Sequence, residues 1–283
     1  MKTEFFQLSD ELFVRLGKLV TETYGIKLSP EKKIMFQSRL QRRLHELQID
    51  SFDQYASRLF DENFAMEELS VLASYISTNK TEFFREKEHF DFLYNHILPR
   101  VKEKSGGVFS TKTDIWSAGC SSGQEAYSIG IILEEYKRSK GNSLEYGILA
   151  TDISDRMLTM AKTAVYPMAQ VSGIPIELKH RYFLKSKNPE DEKVRVVKEI
   201  RDRVRVAKLN LMDSFDTLAA KYDVIFLRNT LIYFAAPIQV KVLVKVIDCL
   251  KTGGYLFIGH SESLINLSLP IRSVAPSVYI KTE

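Results

Sequence analysis

The chain has 283 residues, of which 45% are hydrophobic and 27% charged, with a formal net charge of +4. That balance supports one large hydrophobic core and a smaller one, and so mild a charge makes no case for nucleic acid as a partner. No apolar run reaches membrane-spanning length and no secretory pattern opens the sequence, so a cytoplasmic protein without direct membrane insertion is expected.

Residues 1–76 carry helical periodicity only. Ser9 caps a first helix in which Leu12, Phe13, Leu16, Leu19 and Val20 share a face, and Gly25 ends it. Ser29-Pro30 opens the next, with proline at the first helical position and Ile34, Leu40, Leu44 and Leu47 looking inward. Ser51 begins a third helix and a fourth, running through Tyr55, Leu59, Leu69 and Leu72. The result is an N-terminal helical bundle. Residues 77–110 form a linker to a domain at 111–283 that alternates strand and helix. Strands are expected near 114–117, 146–151, 223–228 and 255–259, helices at 123–138, 154–163 and 237–251, and a closing antiparallel hairpin over Arg272 to Thr282. The period-2 runs VRVVKEI and RVRVAKL predict a small antiparallel insert at about 168–205. The two cysteines, Cys120 and Cys249, suggest reduced thiols rather than a disulfide framework. The histidines at 45, 89, 96, 180 and 260 are scattered without ligand spacing, so no metal is expected.

The stretch DIWSAGCSSGQEAYS at 114–128, followed by ILATDIS at 148–154, is the start of a β-α-β nucleotide-binding unit. The turn from Ser117 to Gly123 lets backbone approach a ligand, and Asp152 at the end of the second strand can accept from both ribose hydroxyls. The alternative for Asp152 is a cap on the next helix. The turn does not read G-x-G-x-x-G, holds no basic residue, and leads into Gln124-Glu125. A carboxylate at a helix N-terminus opposes a pyrophosphate and suits a cation. S-adenosylmethionine fits, with a sulfonium, an ammonium, a ribose and no phosphate.

Four stretches in order, STNKTEFFREKEHF at 77–90, IWSAGCSSGQEAYSIGI at 115–131, FLRNTLIYF at 226–234 and GGYLFIGHSESL at 253–264, resemble the chemotaxis receptor methyltransferases of the CheR type. The resemblance covers nearly the whole chain. It implies a Rossmann-like class I methyltransferase sheet, S-adenosylmethionine as methyl donor with S-adenosylhomocysteine as product, and glutamate carboxylates on the cytoplasmic helical domain of chemoreceptors as substrate. It places Arg85 at the active site, where a guanidinium fork can clamp a carboxylate, and gives Tyr233 a part in steering that carboxylate. Asn79 and Thr81 stand as donors to cofactor or substrate, and Phe83 and Phe84 as packing that fixes Arg85. Glu125 matches an acid for the methionine ammonium, but its predecessor is Gln124 where the family has a second acid. Asp152 matches the ribose acid, Asn210 and Leu211 the adenine neighbours, and Arg228-Asn229 ends an apolar strand at the ligand crevice. The insert resembles a subdomain that in some members grips a receptor C-terminal peptide through a glycine-bearing loop; here that loop reads KSKNPEDEK, without glycine.

Lys32, Arg39 and Arg43 share a helix face by spacing, and the resemblance makes that face the approach to an acidic receptor helix. Two rival classes are a cofactor-binding regulatory module of the same fold and a methyltransferase on RNA or a small molecule. Arg85 and Tyr233 beside an intact pocket argue against the first. The lack of interleaved aromatic and basic residues argues against RNA.

Overall fold

The computed structural model describes residues 6–60, 62–77, 80–102, 112–141, 144–188, 190–216, 218, 221–264 and 268–283. Helices α1 (Asp10–Tyr24), α2 (Lys33–Leu47), α3 (Phe52–Leu59) and α4 (Glu62–Ile76) make up the N-terminal bundle. Ser9 caps α1 through its side chain, which accepts from Leu12 N at 3.2 Å, and Ser51 caps α3 in the same way. Gly25 ends α1 in the left-handed region, φ 71°. A Cβ there would lie 2.7 Å from Met212 Sδ and from the Phe234 ring, so glycine also permits the bundle's approach to the second domain. The bundle core collects Leu16, Val20, Phe36, Leu40, Leu44, Tyr55 and Leu72. Ile34 departs from expectation: it is 83% exposed, and Phe36 takes the inward position. Phe36, Leu40 and Leu44 run at four-residue steps, and a residue two positions before Phe36 lies off that stripe.

Residues 87–102 of the stretch read as a linker are helical: α5 (Lys87–Phe92) passes through a π-helical turn at Leu93–Ile97 into α6 (Leu98–Lys102). Phe90, Leu93, Ile97 and Leu98 are buried in the core on one face of the main sheet, against Phe226 and Phe257.

That sheet contains β1 (Lys112–Ala118), β2 (Glu145–Asp152), β6 (Val204–Lys208), β7 (Tyr222–Leu227), β8 (Leu250–Ile258), β9 (Ile271–Ala275) and β10 (Val278–Lys281) in the order β6-β2-β1-β7-β8-β10-β9. The first five pair in parallel, and β10 and β9 close the edge antiparallel, which is the expected tail hairpin. All six residues of β7 are buried, as a strand covered on both faces requires. Helices α7 (Gln124–Lys140), α8 (Asp155–Thr163) and α11 (Ala236–Asp248) are the crossovers. The strand order reverses between β1 and β7, and that switch point opens a crevice at the C-terminal strand ends.

The insert is smaller than the two period-2 runs suggest. Strands β3 (Val165–Pro167), β4 (Phe183–Lys185) and β5 (Lys193–Val196) form an antiparallel sheet in the order β3-β5-β4, with α9 (Ile176–Tyr182) between β3 and β4. The second run leaves it. After α10 (Lys198–Arg201), β6 joins the main sheet parallel to β2, Ala150 opposite Val206. An edge strand is exposed along one side, so it alternates like a hairpin strand although its partner is parallel.

Candidate active site

Gly119 N and Cys120 N both donate to Thr151 O, at 2.8 and 2.9 Å, which locks the turn after β1 to the end of β2. Gly119 has φ 79°, and a Cβ on it would meet Thr230 Oγ1 at 2.4 Å, so no larger residue fits between the turn and the β7 loop. Ser121 N and Ser154 N each donate to one oxygen of Asp152, both at 2.9 Å. Ser154, not Asp152, caps α8, its Oγ accepting from Met157 N at 3.4 Å. The Asp152 carboxyl is thereby aimed by backbone and faces the crevice. Burial pushes its pKa up, and the amides of Ser154, Ser121 and Ile153 offset part of that rise.

Arg228, at the end of β7, is 5% exposed and organises the acids around it. Its Nη1 lies 3.2 Å from Glu125 Oε2, its Nη2 lies 3.0 Å from Glu86 Oε2, and Nη2 also bonds the Arg85 carbonyl. Glu125 takes a second bond from Ser117 Oγ at 2.7 Å. Burial raises the Glu125 pKa and Arg228 offsets it only partly. Burial also acts to raise Glu86, but Arg228, Asn229 Nδ2 and the His260 amide together hold that carboxyl below its ordinary value. Asn229 sits at φ 53°, and its amide and that of Gly259 both donate to Glu262 Oε2, at 2.9 and 2.6 Å. Glu86 and Glu262 were missed by sequence reasoning. Both lie inside the quoted stretches, but only burial against arginine or unpaired amides marks an acid as an organiser.

The segment carrying Arg85 is strained. Phe84 and Glu86 both have φ 55°, a region costly for side chains with a Cβ. Packing holds them there. Phe83 meets Tyr166 and Phe183 edge-on at 5.0 and 5.2 Å, and Phe84 N donates to Ser128 Oγ on α7 at 2.9 Å. The two phenylalanines therefore act as the expected packing residues, with the insert as one of their supports. Arg85, between Phe84 and Glu86, is half-buried, donates from Nη1 to Lys80 O at 2.8 Å, and among the described residues makes no ion pair with Glu82 or Glu86.

The crevice holds about 920 Å³ of empty space, open solvent at its mouth included. It is lined by Thr81, Arg85, Glu125, Asp152, Asn210, Leu211, Arg228, Asn229 and Tyr233, and by Tyr24 and Ile26 from the bundle. Asn79 lies outside the described residues. The Asn210 amide is already engaged, its Nδ2 donating to Thr23 O at 2.9 Å and its Oδ1 accepting from Met212 N at 3.0 Å. Gln124 turns away from the crevice, bonding Ser122 Oγ and Gln170. Lys27 N donates to Tyr233 O at 2.8 Å, which ties the segment after α1 to a residue of the crevice lining.

The three residues expected on a docking face are less free than spacing suggests. Arg39 Nη1 donates to the carbonyls of Tyr75 and Ser77, at 2.9 and 3.1 Å. Arg43 grips the buried Glu68 with two bonds, at 3.0 and 2.7 Å, and reaches Glu46. Both arginines tie α2 to α4 because the helix face they share packs against that neighbour. Lys32 Nζ lies 5.7 Å from the centre of the ring of Tyr233, which lines the crevice.

Residues 79–279 match the family described as CheR methyltransferase, SAM binding domain, and residues 11–77 match the CheR methyltransferase all-alpha domain. The chain belongs to the CheR methyltransferase family. It is 39% identical to a chemotaxis protein methyltransferase of Borreliella burgdorferi over 96% of this chain and 94% of that protein. It is 35% identical to chemotaxis protein methyltransferase 2 of Pseudomonas aeruginosa, covering 97% and 94% of the two chains. A chemotaxis protein methyltransferase of Salmonella typhimurium is 33% identical, over 98% and 92%. The enzyme is thus an S-adenosylmethionine-dependent methyltransferase, and its site suits that ligand. Two half-buried carboxylates, Asp152 and Glu125, face the crevice, and the one buried guanidinium among its lining residues, Arg228, is already claimed by two acids. A cationic ligand without phosphate matches that charge pattern.

Proposed function

We propose that this methyltransferase esterifies glutamate side chains on the cytoplasmic helical domain of chemoreceptors and so serves chemotactic adaptation. The observation that carries the reading is one crevice with Asp152 and Glu125 in its wall and beside them a half-buried Arg85 that has no ion pair among the described residues. The names of the relatives as chemotaxis protein methyltransferases support it.

In this reading Asp152 accepts from the ribose hydroxyls, Leu211 and Asn210 flank the base, and Thr81 and Asn79 donate to carboxylate oxygens. Glu125 meets the ammonium, exchanging part of its contact with Arg228. S-adenosylmethionine, when bound, supplies an electrophilic methyl on its sulfonium. The chain's own residues provide position and a dry setting. Arg85 holds the substrate carboxylate in its fork and Tyr233 steers it. No general base is required, because a glutamate is ionised at neutral pH. Each ester removes one negative charge from the receptor's helices and relaxes repulsion between them.

Lys32 beside the Tyr233 ring, with Arg39 and Arg43 behind it, meets the acidic receptor helix. The exposed edge of β4, where Leu184 is 54% exposed, is the place for a receptor C-terminal peptide. The substrate domain is cytoplasmic, and so is the enzyme's work. Among the described residues no helix is long and apolar enough to cross a membrane.

The test is incubation with tritiated cofactor and a receptor fragment, RNA or buffer alone, followed by treatment with base. Base-labile label in the receptor alone is expected, since carboxyl esters hydrolyse and N-methyl groups do not. Base-stable label, or label in RNA, would overturn the reading.

A further inference from the structure

Beside Arg228 lies a group of side chains to which the proposed reaction assigns no contact with cofactor or substrate. His89 is 1% exposed, and neither of its ring nitrogens has a hydrogen-bond partner among the described residues. Its Nδ1 is 3.4 Å from Glu86 Oε2 but is not aligned for a hydrogen bond. His260 brings Nε2 to 4.0 Å from the same oxygen, and the two imidazoles cross at 77° with centroids 4.9 Å apart. One donor atom from each of the three residues lies within 4.8 Å of the others. Around a tetrahedral zinc ion, ligand atoms at about 2.0–2.1 Å from the metal stand about 3.4 Å from one another. The carboxylate and His89 already have that separation, and His260, with its side chain 47% exposed, needs only a small swing.

We propose that Glu86, His89 and His260 form a binding site for a divalent transition metal of the zinc class. Two imidazoles and one carboxylate select such ions over magnesium or calcium, which take oxygen ligands. Charge favours a cation here. Arg228 is shared by Glu86 and Glu125, so the three groups together keep one negative charge when both acids are ionised. The imidazole of His89 is held in place by Phe257, whose ring it meets edge-on at 5.4 Å. A buried polar ring with no partner is left wanting one, and a metal satisfies it. Sequence spacing gives no hint of the site, because His260 comes from the loop after β8 and the other two from the start of α5.

The test uses the intact chain with Co2+ as a visible probe and Zn2+ as competitor. One equivalent of Co2+ is expected to give the intense bands of a low-coordinate ion and to be displaced by Zn2+. His260→Ala should weaken Co2+ binding at least about tenfold, and His180→Ala, at an exposed position of α9, should leave it unchanged. Absence of the bands in the wild type, or equal affinity in His260→Ala, would overturn the proposal. If His260→Ala folds poorly, the imidazole resonances of the wild type titrated with Zn2+ decide. Shifts at His89 and His260 support the site, and shifts only at His45, His96 or His180 reject it.

Discussion

Two arginines in this protein are each held by two carboxylates, and they do opposite things. Arg43 binds Glu68, which is buried and also accepts from Tyr55 Oη at 2.9 Å, and its other acid, Glu46, lies in water. That network is closed: every strong charge in it has a partner within the bundle. Arg228 is shared by Glu86 and Glu125, both mostly buried, beside an open crevice. There the negative charge is in excess and one acid can be lent to a ligand. An arginine held by two acids thus marks structure where those acids are satisfied and a site where they are not.

The comparison breaks most visibly at Arg228. Arg228→Ala leaves two mostly buried carboxylates without a countercharge, and a loss of about 3–5 kcal/mol in unfolding free energy is expected, with S-adenosylhomocysteine binding lost as well. Denaturant unfolding and calorimetry measure both; a small stability loss with normal binding would mean that the network is not needed. Glu68→Ala, at the closed network, should cost less, about 2 kcal/mol, because Arg43 keeps contact with water. It should leave S-adenosylhomocysteine affinity untouched, and a parallel fall in affinity would erase the distinction drawn between the two arginines.

Arg85→Ala removes the arginine that, among the described residues lining the crevice, carries no ion pair. Turnover should fall at least about tenfold, the equivalent of a lost charge-assisted bond of about 1.5–3 kcal/mol, without a shift in melting temperature. Full activity would make Arg85 a packing residue.

Acid titration sharpens the comparison further. Burial raises the pKa values of Asp152 and Glu125. Each therefore contributes stability that is fully present below its unfolded pKa and lost as pH rises through the raised folded value. Ligand affinity runs the other way, since a protonated carboxyl accepts less well. Between the ordinary carboxylate range and the raised values, acidification should weaken S-adenosylhomocysteine binding by several-fold in the wild type. Asp152→Asn should bind weakly throughout with a flatter pH profile, and an identical profile in the variant would remove Asp152 from the ligand site.

The smallest effect is expected at the docking face. Lys32→Glu should raise KM for a receptor fragment about threefold at low salt and less at 0.15 M, where exposed charges are screened beyond about 8 Å. Unchanged KM at both ionic strengths would assign recognition to the insert.

Strand and helix existence was legible from periodicity. The buried strands of the main sheet read as apolar runs because both faces are covered, and the caps at Ser9, Gly25 and Ser51 are local chemistry that needs no tertiary information. Asp152 and Glu125 were legible because each is tied to a strand end or a helix start, positions that topology sends to one crevice. Other features were decided by the tertiary structure alone. Val204 to Lys208 alternates as a hairpin strand would, and only its pairing with β2 puts it in the main sheet. Arg43 looks like a solvated cation until Glu68 from another helix reaches it. Glu86, His89 and His260 acquire a common meaning only when the loop after β8 meets the start of α5. Periodicity reports which way a side chain faces relative to its own element. It carries no record of which distant group will stand opposite, and the energetics of a buried charge depend on that partner.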